Sequence, residues 1–193
     1  MPELACVILA AGGSARLGQP KQLVKIDGET LLRRTARLAA EAVCDPIVVV
    51  LGSEAERMRA EVFEYDTVIV TNSDWSSGMG SSLRSGVEAV AGLDPQPANV
   101  LLLVCDQLAL SADVLRRLIE RHRPGAITAS RYGGRPGVPA IFSAAFYPEL
   151  MAVTGDRGAR GILERHASAV TCVDFPEGEA DLDTREQLDR IAK

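Results

Sequence analysis

Two cations, Arg16 and Lys21, follow a run of small residues and glycines in Leu9-Ala-Ala-Gly-Gly-Ser-Ala-Arg-Leu-Gly-Gln-Pro-Lys21. Glycine tolerates positive φ and lets backbone N–H groups come close to a ligand. Ala11, Gly12, Gly13 and Ser14 could therefore wrap an anion that the two cations neutralise. An anion that suits several amides and two cations is a polyphosphate. Further along, Asp106 follows the apolar run of residues 100–104 and Cys105. A carboxylate beside a triphosphate is a natural anchor for Mg2+, which prefers oxygen ligands shared with phosphates. Both features also have plainer readings: a surface turn with solvated cations, and an aspartate capping the turn after a strand. Neither familiar nucleotide motif is present. A Walker A loop needs Gly-Lys followed by Ser or Thr, whereas Gly18 is followed by Gln19, Pro20 and Lys21, and the adjacency of Gly12 and Gly13 breaks G-x-G-x-x-G.

The elements that must position these groups alternate in type. Leu4-Ala-Cys-Val-Ile-Leu-Ala10 is an unbroken apolar run, suited to a strand buried on both faces. Thr30 is an N-cap for a helix whose face is Leu31, Leu32, Thr35, Leu38, Ala39 and Ala42. Pro46 introduces a second buried run, residues 47–51. The pair Ser53 and Glu56 then predicts a capping box and a helix reaching about Phe63. Residues 68–70 form a third strand. Residues 100–104 form the central one, followed by a helix that Ser111 caps and that carries Val114, Leu115, Leu118 and Ile119. Residues 126–129 and 140–142 read as strands around the turn-rich segment 131–139, a hairpin over the sheet edge. The last strand spans residues 170–173, and Thr184 with Gln187 caps a closing helix bearing Leu188, Ile191 and Ala192. This alternation predicts one α/β domain over residues 1–193: three-layer α/β/α, Rossmann-like, with a mixed, mainly parallel sheet. Asp106 then stands at the carboxyl tip of a central strand, where open α/β sheets place ligands.

Two further loops reach the same end of the sheet. Residues 72–80 are polar and glycine-bearing, and helical spacing begins at Ser81 with Leu83, Val87 and Val90. Gly80, Ser81 and Ser82 could read a nucleobase edge or simply cap the helix; Trp75 reads as loop packing. Gly155-Asp-Arg-Gly-Ala-Arg160 opens a helix with Ala159, Ile162 and Leu163 on one face, either an anion site or a basic turn facing solvent. Arg131 and Arg135 could meet a phosphate or be solvated hairpin cations. His122 and His166 are too few and too scattered for a metal site or triad.

Composition narrows the classes. With 47% hydrophobic and 24% charged residues and a net charge of −5, the 193-residue chain is expected to be globular, with no general attraction to nucleic acid or anionic membrane. Cys6, Cys44, Cys105 and Cys172 lack any C-x-x-C pairing, against a zinc site or disulfide framework. No apolar run approaches the roughly 18 residues of a membrane span, and the start lacks a signal-peptide pattern, so the expected location is cytoplasmic.

The stretch Leu9-Ala-Ala-Gly-Gly-Ser-Ala-Arg16-Leu-Gly18 with Lys21 resembles the signature loop of nucleotidyltransferases that activate sugars and cofactors. These share a GT-A-like Rossmann core of the nucleotide-diphospho-sugar transferase type. Within that group the chain is most similar to molybdenum-cofactor cytidylyltransferase-like proteins, from its first strand to its last helix. The resemblance implies that Leu9, Ala10, Ala11, Gly12 and Gly13 wrap the nucleotide and that Arg16 and Lys21 act on its triphosphate. It makes Gly78-Met-Gly-Ser-Ser-Leu-Arg-Ser-Gly86 the base-recognition segment through Gly80, Ser81 and Ser82. Asp106 takes the metal in the family's Asp-Gln-Pro; Leu108 replaces that proline here, which leaves the loop's path open. Gly137 and Pro139 of Gly137-Val-Pro139, and Asp156, Arg157 and Arg160, belong to the acceptor side. The family's Asp-x-Asp-Thr supplies the second metal carboxylate, assigned to Asp183 with Asp181 as the alternative.

The implied reaction is Mg2+-dependent transfer of a nucleotidyl group from an NTP onto an anionic phosphorylated acceptor, releasing pyrophosphate. CTP is favoured because Leu9-Ala-Ala-Gly12 resembles the cytidylyl-type loop, and molybdopterin is favoured by family likeness alone. A phosphate monoester, with a second pKa of about 6, is largely ionised at neutral pH and needs no general base. Arg16, Lys21 and Asp106 then serve by positioning and charge. Two alternatives stay open: another small acceptor such as a sugar or alcohol phosphate, and a non-catalytic nucleotide- or cofactor-binding accessory protein for a molybdoenzyme partner.

Overall fold

A computed structural model describes residues 4–14, 16–182 and 184–191. The first apolar run is strand β1 (Leu4–Ala10), followed by the short antiparallel pair β2 (Lys25–Ile26) and β3 (Glu29–Thr30). Helix α1 (Leu31–Glu41) starts where expected, with Thr30 Oγ1 accepting a hydrogen bond from the Arg33 N–H at 3.2 Å. Then come β4 (Ile47–Leu51), α2 (Ala55–Arg59), β5 (Thr67–Thr71), α3 (Met79–Ala91) and β6 (Asn99–Val104). The chain continues through α4 (Ala112–Arg121), β7 (Ile127–Tyr132), β8 (Arg135–Ser143), α5 (Tyr147–Met151) and α6 (Arg160–Arg165). It ends in β9 (Val170–Asp174) and α7 (Arg185–Ile191).

Seven strands form one sheet in the order β5-β4-β1-β6-β8-β7-β9. All neighbours run parallel except β8, which is antiparallel to both β6 and β7. Alternation along β1 divides the core in two. Cys6 and Ile8 pack with Leu32 and Ala36 of α1 and Leu115 and Leu118 of α4. Ala5 and Val7 pack with Leu83 and Val87 of α3, Leu150 of α5 and Ile162 of α6. Helices thus cover both faces, the three-layer α/β/α arrangement with a mixed, mainly parallel sheet. No helix among the described residues is long and apolar enough to cross a membrane.

After β1 the chain moves to β4 on one side, and after β5 it returns to β6 on the other. Parallel strands whose connections leave in opposite directions open a crevice at their carboxyl ends, here between the tips of β1 and β6. Helix α3 is held low over this point because Gly86 has no side chain. A Cβ there would lie 2.5 Å from Val7 Cγ1 and 2.8 Å from Val50 Cγ2.

Ser111 caps α4 through the Val114 N–H at 3.5 Å. Thr184 and Gln187 form the reciprocal box: Gln187 Oε1 accepts from the Thr184 N–H at 2.8 Å, and Thr184 Oγ1 from the Gln187 N–H at 3.3 Å. Two expectations fail. The Ser53–Glu56 box is not made: Glu54, at φ 61°, precedes the helix, which covers only Ala55–Arg59. The Ser53 N–H instead donates to the Ala11 carbonyl at 3.3 Å, binding this turn to the glycine-rich loop. The hairpin is also not at the edge. Residues 131–139 are largely strand, β8 is inserted between β6 and β7, and β9 forms the border. The prolines fit because β6 pairs only with residues 140–143, so Pro136 and Pro139 lie in the half of β8 that reaches past it. At the opposite border, β5 carries no charged residue, and its Val68 and the preceding Phe63 are 44% and 74% exposed.

Candidate active site

A cleft of 360 Å³ occupies the crevice, walled by Leu9, Ala11, Gly12 and Gly13 from the β1 loop and by Asp106 from the end of β6. The loop is held from behind. Gln22, 2% exposed, donates from Nε2 to the carbonyls of Ala10 and Gly12 at 2.8 and 2.9 Å. Ser14 Oγ accepts the Lys21 N–H at 3.0 Å, closing the turn that brings Lys21 back to the cleft. There the Lys21 ammonium forms an ion pair with Asp106 Oδ2. Arg16 is exposed in the same turn and does not line the cleft.

The opposite wall is the start of α3. Buried Asn72 donates from Nδ2 to Ser81 Oγ at 2.9 Å and to Ser82 Oγ at 3.0 Å, while its Oδ1 accepts the Asp74 N–H at 2.9 Å. Ser81 Oγ also donates within this loop, lying 2.8 Å from the Asp74 carbonyl and 2.9 Å from that of Gly78. Ser82 lines the cleft, whereas Ser81 is committed to the loop and Gly80 packs on Thr154, 2.9 Å from a Cβ built there. The three residues singled out here therefore divide into one wall residue and two that shape the wall.

Trp75, 36% exposed, also lines the cleft. A Cβ on Gly13 would lie 3.0 Å from Trp75 Cζ3, and one on Gly52 2.7 Å from Trp75 Cβ. Asp156 enters the same cleft because its turn packs against α3: a Cβ on Gly78, at φ 113°, would meet Asp156 Oδ1 at 2.5 Å. The structure thus puts Asp156 beside the residues expected to hold a nucleotide rather than with Arg157 and Arg160.

A second cavity of 300 Å³ adjoins the first, with Met79 lining both. Its walls include Gly137, Arg135, Arg157 and Arg160, with Glu179 and Asp181 opposite in charge. Arg157 and Arg160 share Glu164, at 3.0 and 3.7 Å. Arg131 faces elsewhere, paired with Asp174 at 2.7 Å, and Pro139 is buried in β8 outside the cavity lining. Tyr132 lines this cavity with its phenol pushed above its ordinary pKa, first by burial and then by the Asp181 charge.

The tail of the chain docks onto the tip of β6. The Leu182 N–H donates to the Asp106 carbonyl at 3.0 Å, and Gln107 and Asp181 form an antiparallel bridge. Gln107, buried, donates from Nε2 to Val138 O at 2.9 Å and Gly178 O at 3.0 Å, fastening β8 and the tail together. Asp183 lies outside the described residues. Cys105, beside Asp106, has its thiol pushed up to about 12 by burial and by the neighbouring carboxylate.

Sequence reasoning did not assign roles to Gln22, Asn72, Gln107 or Met79. Gln22 directly follows Lys21, and Gln107 directly follows Asp106. An amide next to a charged site residue was the available signal.

With this geometry described, the chain can be compared with known proteins. Nicotine blue oxidoreductase of Paenarthrobacter nicotinovorans is 36% identical over 203 residues, covering 99% of this chain and 97% of that protein. The molybdenum cofactor cytidylyltransferase of Escherichia coli (strain K12) is 28% identical over 144 residues, 74% of this chain and 71% of that one. Among solved structures, Rv0371c of Mycobacterium tuberculosis H37Rv superposes with a TM-score of 0.83 at 30% identity, over 98% of this chain and 97% of that chain. A complex of Rv0371c with manganese gives 0.75 at 29%, with the same coverage of each chain. The model of the MobA-like NTP transferase domain matches residues 6–170, and the chain belongs to that family.

Proposed function

We propose that this protein is a cytoplasmic, divalent-metal-dependent nucleotidyltransferase that moves CMP from CTP onto the phosphate of molybdopterin, releasing pyrophosphate. The observation that carries the reading is the Lys21–Asp106 pair in the β1–β6 crevice, a cation and an oxygen anion where a polyphosphate and its metal would lie. The adjoining cavity, with Arg135, Arg157 and Arg160, supports an anionic acceptor. Transfer needs little covalent help. The acceptor phosphate is already ionised, so the protein's task is to hold two anions in line and offset the charge that gathers on the leaving pyrophosphate. Lys21 does this once released from Asp106, and Arg16, in the adjoining turn, adds its charge from outside the cleft.

The donor chemistry fits Mg2+. Asp106 offers a carboxylate oxygen against which the Lys21 ammonium already occupies a cation's place. Asp106 and Asp183 would hold the ion, which would supply charge neutralisation between the phosphates. The manganese complex of Rv0371c supports a divalent ion.

A second reading comes from the relative named as an oxidoreductase, which matches along nearly its whole length. In it the same cleft would take NADH or NADPH for hydride transfer to a dye such as nicotine blue. One assay set separates the two: pyrophosphate release with Mg2+, each NTP and molybdopterin (with and without molybdenum), alongside reduced-dinucleotide oxidation with the dye. Release with CTP that requires the pterin supports the transferase. Silence with every NTP, together with dye-dependent oxidation, overturns it.

A further inference from the structure

The walls of the first cleft differ in chemistry. The glycine-rich loop follows β1 and Asp106 follows β6, so the cleft spans those two strand ends, and Trp75 bounds it while packing on Gly52 at the end of the neighbouring β4. The one cation among the described lining residues, Lys21, meets Asp106 at the β6 end, and a second carboxylate, Asp156, enters from the turn packed on Gly78. Trp75 also lies against Gly13, with a third of its surface open. A nucleoside triphosphate carries the two matching features: a flat aromatic base at one end and phosphates at the other.

We infer that Trp75 is the stacking platform for the nucleobase of a nucleotide whose phosphates lie at Lys21 and Asp106. This rests on the nucleotide reading of the cleft given above. An indole fits the role because its ring is rigid and amphipathic and loses little entropy on stacking. Its position is fixed by the two glycines: Gly13 and Gly52 leave room for the ring to lie against the loop, which a Cβ at either would remove. Every base has a π-face, so stacking supplies affinity without choosing among bases. Selection is left to hydrogen-bonding groups such as Ser82 in the facing wall.

Trp75 is the only tryptophan in the chain, so its emission reports this place alone. The test measures binding of CTP, GTP and inorganic tripolyphosphate by calorimetry, each with Mg2+, and follows tryptophan emission in the same titrations. Trp75→Ala is expected to weaken CTP and GTP alike by about 5- to 150-fold. It should leave tripolyphosphate affinity unchanged, since that ligand has no base. Trp75→Phe should recover most of the loss, and wild-type emission should shift with CTP more than with tripolyphosphate. A variant that merely disordered the loop would lose tripolyphosphate as well, which would overturn the inference. So would equal CTP affinity in wild type and Trp75→Ala, a result that leaves the transferase reading standing. Absence of any nucleotide binding by the wild type would overturn both.

Discussion

Lys21 and Asp106, 85 residues apart in sequence, are joined in an ion pair, with side chains 22% and 15% exposed. Both side chains line the cleft between the tips of β1 and β6. On the transferase reading, ligand binding exchanges this pair for two new ones, a lysine with a phosphate and a carboxylate with a metal. Partly buried pairs of this kind couple by roughly 0.5–2 kcal/mol. In urea unfolding, Lys21→Met and Asp106→Asn should each destabilise the protein, with a double mutant less destabilised than their sum. Both single variants should lower turnover at least about 100-fold, the scale for removing a group that acts on transition-state charge. Near-normal turnover in both would remove the pair from the reaction.

Gly86 decides how low α3 sits. Alanine in a helix interior would gain about 1 kcal/mol of intrinsic propensity. Against this, its methyl would press on Val7 and Val50 at 2.5 and 2.8 Å, both fully buried, and overpacking of that kind costs about 1–3 kcal/mol. Gly86→Ala should therefore be neutral to destabilising by about 2 kcal/mol, and should weaken nucleotide binding more than stability because the cleft wall lifts with the helix. Thermal melting and calorimetry on one sample would check the two effects together.

The second cavity predicts a separation of binding effects. Arg160→Met should raise the KM for the acceptor by about ten-fold or more, the scale of a lost charge-assisted hydrogen bond, with CTP affinity unchanged. Equal losses for both substrates would place Arg160 on the nucleotide instead.

His122 gives the fold a pH dependence away from the cleft. Its Nε2 lies 2.9 Å from Asn99 Oδ1 and its Nδ1 3.1 Å from Thr128 Oγ1, distances that suit a neutral ring donating from Nε2 and accepting at Nδ1. Burial, and then the Arg123 charge, holds its pKa below the ordinary value of about 6.5. Between the folded and unfolded pKa values the unfolded chain binds more protons, so stability falls as pH drops below about 6.5 and is fully present above it. Denaturation midpoints from pH 7.5 to 5.0 should fall more steeply for wild type than for His122→Asn.

Much of this was legible from residue pattern. The apolar runs became β1, β4 and β6, and Thr30, Ser111 and Thr184 cap where their spacing predicts. Local signals failed where tertiary demands overrode them. Ser53 is drawn to the Ala11 carbonyl instead of a helix start, and the turn-rich 131–139 segment becomes strand because it can pair with β7 beyond the reach of β6. In the cleft, Lys21 and Asp106 could be singled out by type, but no spacing rule brings them together across 85 residues. Trp75 packs on loops as its setting suggested, but its neighbours Gly13 and Gly52 come from two other strand ends, which no local pattern could name.

The bare border of β5 has a consequence for handling the protein. Its five residues, Thr67–Thr71, include no charged residue or proline to repel a second strand, Arg59 reaches only Thr71 at one end, and exposed Val68 within the strand and Phe63 before it add apolar surface. The chain's net charge of −5 opposes association at low salt. In concentrated solution, association should begin here, edge to edge, with light scattering rising steeply as salt screens the residual repulsion. Val68→Lys is the single change expected to keep such solutions clear.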